Sequence, residues 1–351
     1  MKPEDHYPAY MEEHVLPYIL PRREEQLLFR EPGKQIYCAF YTSGVSVDSR
    51  KQGSLEQCNG IILISHGFTE TADKYFEVIY YFLRQGFHVC IPEHCGHGRS
   101  YRLTDGDLSL VHIDRWQRYV DDLAFTARAA QNYWKQPLPL FLYAHSMGAG
   151  IGAALAAQKP HLFQRILLSS PMIRPSTGNV PWIATKAIVT FTCVIGKEHD
   201  YVIGQHAYDG TETFETSCAT SPARYAWYRE KTNAEPLFQM SGASYGWLRE
   251  AIRLNKYLMN DAWKNIPAPV LLIQAEKDTS VSKGQQEKFI RKLARAKKTA
   301  GKPSSSRTVP QKPSVRFVRI PGAKHELYRA DDKTLAKYFK GCLKWFEQPI
   351  P

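Results

Sequence analysis

No run of apolar residues in this chain is long enough to cross a bilayer, which argues against a membrane-spanning helix. The first eight residues, Met-Lys-Pro-Glu-Asp-His-Tyr-Pro, have no apolar core and no small-residue cleavage site, so they do not read as a secretory signal. Cysteine is sparse and irregular. Cys38, Cys58, Cys90, Cys95, Cys193, Cys218 and Cys342 form an odd, scattered set without the paired spacing of a disulfide framework. The expectation is a reduced, cytoplasmic protein. No internal repeat is visible. Charge of one sign is also missing from most of the chain: the net charge is +12, but residues 283–319 alone carry twelve Lys/Arg against one acid, Glu287, and the remainder is close to neutral. That segment lacks interleaved stacking aromatics, so nucleic acid is not an expected partner.

What is present is core-forming material, at 43% hydrophobic residues in 351. Apolar runs at 60–65, 88–92, 140–143, 165–170 and 269–274 read as strands buried on both faces, and a further strand at 315–320 precedes a C-terminal helix ending near Trp345. Helical segments near 74–85, 115–135 and after Ser146 alternate with them. This alternation predicts an α/β fold with a mostly parallel central sheet flanked by helices. Around Glu31-Pro32-Gly33-Lys34, the alternating arms 26–30 and 35–40 read as a hairpin.

The rhythm breaks once. Residues 173–265 separate two strands by far more chain than one helix needs, and they hold 13 aromatic residues, including Trp182, Trp227, Trp247 and Trp263. A helical subdomain with its own small core would account for this. A helical cap, or lid, over an apolar pocket is the reading adopted, because the insert emerges beside the turn described next. The core is then 1–172 with 266–351, the cap 173–265, and residues 299–314 a flexible basic loop within the core.

In Leu-Phe-Leu-Tyr-Ala-His-Ser-Met-Gly-Ala-Gly, residues 140–150, a buried strand stops at a serine and gives way to residues of minimal bulk. A chain that reverses this sharply presents the Ser146 hydroxyl at the tip of the turn. Serine attacks a carbonyl only when a base takes its proton and a third group steadies the base. The strand at 269–274 runs into Ala-Glu-Lys-Asp278, and the strand at 315–320 into Pro-Gly-Ala-Lys-His325. Each supplies one missing group just past its strand, in the chain order Ser, Asp, His. Glu276, Asp331 and Asp332 are rivals for the acid. An oxyanion needs two backbone N–H donors: Met147, after the serine, and Phe68, in the loop His66-Gly67-Phe68 that follows the first buried strand.

These residues carry a resemblance. The chain resembles serine hydrolases of the α/β-hydrolase fold, and within it the lysophospholipase L2 and monoacylglycerol lipase group. The matching pieces are Ser65-His66-Gly67-Phe68-Thr69-Glu70-Thr71-Ala72-Asp73-Lys74-Tyr75, Glu93-His94-Cys95-Gly96-His97-Gly98-Arg99-Ser100, Ala144-His145-Ser146-Met147-Gly148, Asp278, and Gly322-Ala323-Lys324-His325-Glu326. They span about residues 23 to 346, the insert matching only in position and length. The resemblance implies Ser146 as nucleophile, His325 as base, Asp278 as its orienting acid, and Phe68 and Met147 as oxyanion donors. It also implies a cap, no cofactor, and hydrolysis of acyl glycerol or lysophospholipid esters. Two positions depart from the group. Ala144 stands where glycine is usual, and Cys95 replaces an arginine in a segment where Glu93 stands for the commoner aspartate, which puts the anchoring of that loop in question.

Other readings stay open. The same triad suits an aminopeptidase-like amide hydrolase, an acyltransferase, or a non-catalytic ligand binder. Epoxide and haloalkane hydrolysis is disfavoured, because the position that needs an aspartate is Ser146. His94-Cys95-Gly96-His97 has metal-ligand residue types but no second cluster, so a hydrogen-bonded turn is expected there and no metal. His66 and His145 are expected to hold framework. The basic segment 283–319 reads as a solvated amphipathic helix plus loop, with peripheral contact to an anionic membrane surface, at the inner face, as the sharper alternative.

Overall fold

The computed structural model describes residues 3–44, 58–300 and 315–348. Its strands are β1 (Arg23–Glu31), β2 (Lys34–Tyr41), β3 (Gly60–Ser65), β4 (Phe87–Pro92), β5 (Leu110–Val111), β6 (Leu140–His145), β7 (Arg165–Ser169), β8 (Gly242–Ala243), β9 (Val270–Ala275) and β10 (Val315–Ile320). Eight form one sheet in the order β1-β2-β4-β3-β6-β7-β9-β10. β2 pairs antiparallel with β1 and β4, and the remaining neighbours are parallel.

The apolar runs fill both faces because side chains alternate across a strand. Ile61, Leu63, Leu142 and Leu168 enter one core, under the helices Trp116–Tyr133, Ser146–Gln158, Tyr245–Asn260 and Lys283–Ala300. Ile62, Ile64, Tyr143 and Leu167 enter the other, under Phe76–Arg84 and Asp332–Phe346. The chain leaves β3 for β4 on one side and returns to pair β6 on the other. Connections diverge at such a switch point, opening a crevice at the carboxyl ends of the strands.

The helix after β6 lies extremely close to β3. A Cβ added at Gly148 would meet the carbonyl oxygens of Ser65 and His66 at 2.3 Å. Backbone cannot yield as a side-chain tip can, so only glycine fits there.

Some elements were not anticipated. Residues 3–22 wind through successive short helical turns, and Tyr7, Met11, Val15 and Ile19 pack into the second core. Their i, i+4 spacing is a helical stripe, obscured in the sequence by Pro3, Pro8, Pro17 and Pro21. β5 and β8 form a separate two-stranded parallel sheet tying the insert to the loop before Trp116. The loop expected at 299–314 needs correction at its start: the helix Lys283–Ala300 extends through 299 and 300, and 301–314 lie outside the described residues.

Within 173–265 the structure places the helices Trp182–Val194, Pro222–Ala234 and Tyr245–Asn260. The second is held to the rest of the chain by Arg224, whose Nε and Nη2 each donate to Glu77 at 2.8 Å and whose Nη2 lies 2.9 Å from Asp332. In contrast, the helix Trp182–Val194 buries only Thr185 and Val189.

Gly148→Ala is expected to destabilise the protein by about 3 kcal/mol or more, from forced backbone displacement. Denaturant unfolding compared with Ala144→Gly, which only removes a buried methyl at a cost of roughly 1 kcal/mol, checks this. Equal stability of the two variants contradicts the close-approach argument.

Candidate active site

Ser146 is the first residue of its helix and has φ +51°, a left-handed conformation that a non-glycine residue adopts only under constraint. The constraint is local: the Ser146 carbonyl accepts from the Met172 N–H at 2.8 Å, and Gly148 is wedged against the end of β3. The hydroxyl is thereby turned out of the helix toward His325.

The structure brings Ser146, His325 and Asp278 into one hydrogen-bonded chain from three separate strand ends. His325 Nε2 lies 2.7 Å from Ser146 Oγ, and His325 Nδ1 lies 2.7 Å from Asp278 Oδ2. A carboxylate only accepts, so Nδ1 carries the proton and Nε2 is free to accept from the hydroxyl. Asp278 Oδ1 is itself held by the N–H groups of Ser280 (2.9 Å) and Val281 (3.2 Å), which fixes the carboxylate's rotation. All three residues are buried, at 5–6% exposure, so their contacts are little screened by water. The rival acids are occupied elsewhere. Glu276 accepts from the Gly322 N–H at 2.8 Å, Asp331 caps the last helix through the Thr334 N–H, and Asp332 pairs with Arg224.

Met147 is the second residue of the helix Ser146–Gln158, so its N–H has no acceptor one turn earlier and belongs to the positive end of the helix dipole. Phe68 sits in a loop fixed on both sides. His66 Nδ1 is 2.8 Å from the Gly67 carbonyl, the Gly67 N–H donates to Glu70, and the Phe68 carbonyl accepts from the Thr69 hydroxyl at 2.7 Å. β3 and β6 are adjacent, so the Phe68 loop and the N–H of Met147 flank the same crevice.

Several contributors escaped the sequence reading. Glu70, buried beside the Phe68 loop, accepts from the hydroxyls of Tyr75 and Tyr328, both at 2.6 Å. Lys74 lies 3.4 Å from Glu70 and 2.7 Å from Glu326, and Glu326 pairs with Arg329 at 2.6 Å. Burial pushes the Glu70 and Glu326 carboxyls up, but the neighbouring cations outweigh it; Glu326 is brought down to about 2. The available signal was acids and bases at i, i+3 and i, i+4 spacing immediately beside proposed site residues.

His145 packs 4.8 Å from the His325 ring, with Glu70 at 3.6 Å. Burial lowers its pKa to about 4 despite Glu70, so it is neutral at pH 7 and puts no charge beside the His325 imidazole. His66 Nε2 accepts the His94 N–H at 2.9 Å, and His94 Nε2 reaches Ser65 Oγ at 3.0 Å. The His94–His97 segment is a turn closed by the His97 N–H on the His94 carbonyl. Cys95 is buried in the apolar core, and Arg99 anchors the loop instead: its Nη2 contacts Glu93 at 2.8 Å and Asp73 at 2.5 Å.

Ser146 and His325 open into a cavity of about 820 Å³ whose lining draws heavily on the insert, including Val189, Val202, Tyr225, Tyr228, Trp247 and Leu248. The Phe68 ring packs 4.4 Å from that of Trp247, joining the loop after β3 to this wall.

A family model described as serine aminopeptidase, S33, matches residues 56–301. The chain is 29% identical over 236 residues to lysophospholipase L2 of Escherichia coli K12, covering 65% of this chain and 66% of that protein. It is 26% identical over 220 residues to monoacylglycerol lipase of Mycolicibacterium smegmatis, covering 62% and 70%. These matches span about two thirds of the relatives' own length. Among solved structures, a soluble variant of monoglyceride lipase from Saccharomyces cerevisiae in complex with a substrate analog superposes with TM-score 0.67 at 19% identity, covering 92% of this chain and 94% of that one.

The depressed Glu326 carboxyl makes a pH prediction. Its folded pKa lies below the unfolded value of about 4.3, so its stabilisation is present above that pH and is lost as pH falls toward about 2. Denaturant unfolding at pH 7, 4 and 3 is expected to show falling stability, with a shallower fall in Glu326→Gln. An identical pH slope in that variant would remove Glu326 from the acid response.

Proposed function

Because the chain belongs to the serine aminopeptidase S33 family and has the α/β-hydrolase fold, we propose that it is a serine carboxylic ester hydrolase acting on acyl glycerol or lysophospholipid esters. The observation that carries this reading is the continuous Ser146–His325–Asp278 chain at the floor of a large, insert-walled cavity. Ser146 Oγ attacks the ester carbonyl as His325 Nε2 takes its proton. Asp278 holds the imidazole in the required tautomer and stabilises the imidazolium that forms. The oxyanion gathers on the N–H groups of Met147 and Phe68. His325 then gives its proton to the departing alcohol, and water activated by the same histidine releases the acid. Apart from the water that releases the acid, every group these steps use is a side chain or a backbone amide of this chain, so the proposed reaction calls for no cofactor.

The cavity's size and its valines, leucine and tryptophan support an acyl chain as the bound group, and residues 173–265 act as the cap over it. Val180, Ile188 and Ile203 line the cavity while remaining exposed, which gives its rim an apolar character suited to lipid. The relatives named lysophospholipase and monoacylglycerol lipase support the same class. The basic helix Lys283–Ala300 buries Phe289, Ile290 and Leu293 and turns Lys288 and Arg291 outward, which supports attraction of this face to anionic lipid headgroups.

Three measurements bear on this. A fluorophosphonate is expected to label one peptide, containing Ser146, and Ser146→Ala to abolish labelling; modification elsewhere overturns the assignment. Asp278→Asn is expected to lower kcat on p-nitrophenyl esters by about 10³–10⁴-fold, with wild-type activity rising with acyl length and aminoacyl anilides uncleaved. Anilide cleavage exceeding ester cleavage would favour the amidase reading. At low salt, co-sedimentation with anionic vesicles is expected to exceed that with neutral vesicles, and equal binding removes the role of the basic face.

A further inference from the structure

The cavity has two chemically different walls. Met172, Val189, Val202, Trp247 and Leu248 make one of them apolar. On the other, the helix Pro222–Ala234 and the loop 206–212 bring Tyr208, Glu212, Tyr225 and Arg229 to the lining. This second wall is tied together by the Tyr225 hydroxyl, which donates to the Glu212 carbonyl at 2.7 Å, and by the Tyr208 hydroxyl on Asn233 at 2.6 Å.

Arg229 is unusual among the cations of this cavity. Lys74 and Arg329 are both closely paired with Glu326. Arg229 is not: its Nη1 stands 3.8 Å from Glu212, beyond hydrogen-bonding range, and its Nη2 is buried with no hydrogen-bond partner among the described residues. Its side chain is only 14% exposed, and the guanidinium lies 5.2 Å from the centre of the Tyr208 ring, which holds it in place. A largely buried guanidinium with one nitrogen left without an acceptor is unfavourable unless something brings one. The hydroxyls of a neutral acylglycerol are weak partners for it. A phosphodiester offers two anionic oxygens that match the guanidinium fork.

The rim sets a second condition. Glu212 and Asp209 stand there with side chains 52% and 46% exposed. Two carboxylates repel a further negative charge but favour an ammonium. We propose that this wall is the headgroup site for a zwitterionic lysophospholipid, with its phosphate on Arg229 and its ammonium facing Glu212 and Asp209. The proposal rests on the ester-hydrolase reading only for where the acyl ester sits, and it selects the lysophospholipid over the monoacylglycerol as substrate.

The test separates the two readings by measuring binding without turnover. Ser146→Ala is titrated calorimetrically with hexanoyl lysophosphatidylethanolamine, hexanoyl lysophosphatidylglycerol and monohexanoylglycerol, all below their micelle concentrations. Fluorophosphonate labelling of the unmutated protein reports on Ser146 independently. Expected is at least tenfold tighter binding of the ethanolamine lipid than of the acylglycerol, with the anionic glycerol lipid in between. Adding Arg229→Ala is expected to erase that preference while leaving acylglycerol affinity within twofold, and Arg229→Lys to recover part of it. Glu212→Gln is expected to bring the two lysophospholipids closer together. The proposal is overturned if the ethanolamine lipid binds no tighter than the acylglycerol, if its advantage survives Arg229→Ala, if Arg229→Ala weakens both ligands equally, or if the two lysophospholipids bind alike before Glu212 is changed. Should Arg229→Ala fail to fold, Arg229→Gln carries the same comparison with the same outcomes.

Discussion

The contact between Gly148 and the carbonyls of Ser65 and His66 is the constraint from which the site follows. It brings the start of one helix against the end of a neighbouring strand with no side chain between them. Three things are set at once. Ser146 is forced into a left-handed turn that presents its hydroxyl. The free amide of Met147 is placed beside the loop bearing Phe68. The crevice between β3 and β6, where the chain's direction of winding switches, then has the Phe68 loop and the start of the helix Ser146–Gln158 on its borders. The small residues after Ser146 are therefore a packing requirement before they are a catalytic signature.

Behind this turn lies a charge cluster that would be costly if it did not balance. Lys74 and Arg329 supply two cations, Glu70 and Glu326 two anions, and all four are at most 10% exposed by side chain. Buried ion pairs recover their desolvation only with close geometry and further hydrogen bonds. Here the tyrosine hydroxyls on Glu70 and the second contact of Glu326 provide them. The cluster joins the loop after β3 to the loop after β10, and so fixes the Phe68 loop and the His325 loop relative to each other. His145, neutral and placed between Glu70 and His325, adds no charge of its own beside the His325 imidazole.

The parts legible in the sequence were those written locally. Five apolar runs marked parallel strands because burial on both faces demands unbroken hydrophobicity; Asp278 could be found because it closely follows such a run, and His325 because it closely follows the alternating strand Val315–Ile320. Pairings across long separations were not legible. Nothing near Glu70 in the chain announces Tyr328, 258 residues away, and nothing beside Cys95 shows that Arg99 will take over the anchoring of Glu93. The helical turns of 3–22 were hidden by prolines that ordinarily break helices, although the four core-facing residues kept a helical period. β5 and β8, two residues each, carry too little pattern to be seen in any sequence.

The insert's attachment bears on how a molecule could reach Ser146. The N–H groups of Thr220 and Ser221 donate to the Arg329 carbonyl, and the Glu326 N–H donates to the Cys218 carbonyl, so the approach to the helix Pro222–Ala234 is bonded to the loop that carries His325. Moving that helix would uncover the Arg224–Glu77–Asp332 ion cluster, at several kcal/mol for the unpaired charge. The helix Trp182–Val194 has no such tether. It buries two residues and leaves Ile183, Phe191 and Val194 at 66–79% exposure. Displacing it would break no buried ion pair among the described residues. Of Trp182–Val194 and Pro222–Ala234, both of which contribute to the cavity lining, the lower cost of displacement therefore lies with Trp182–Val194, on the apolar wall, away from the bonds that hold the polar wall to the His325 loop.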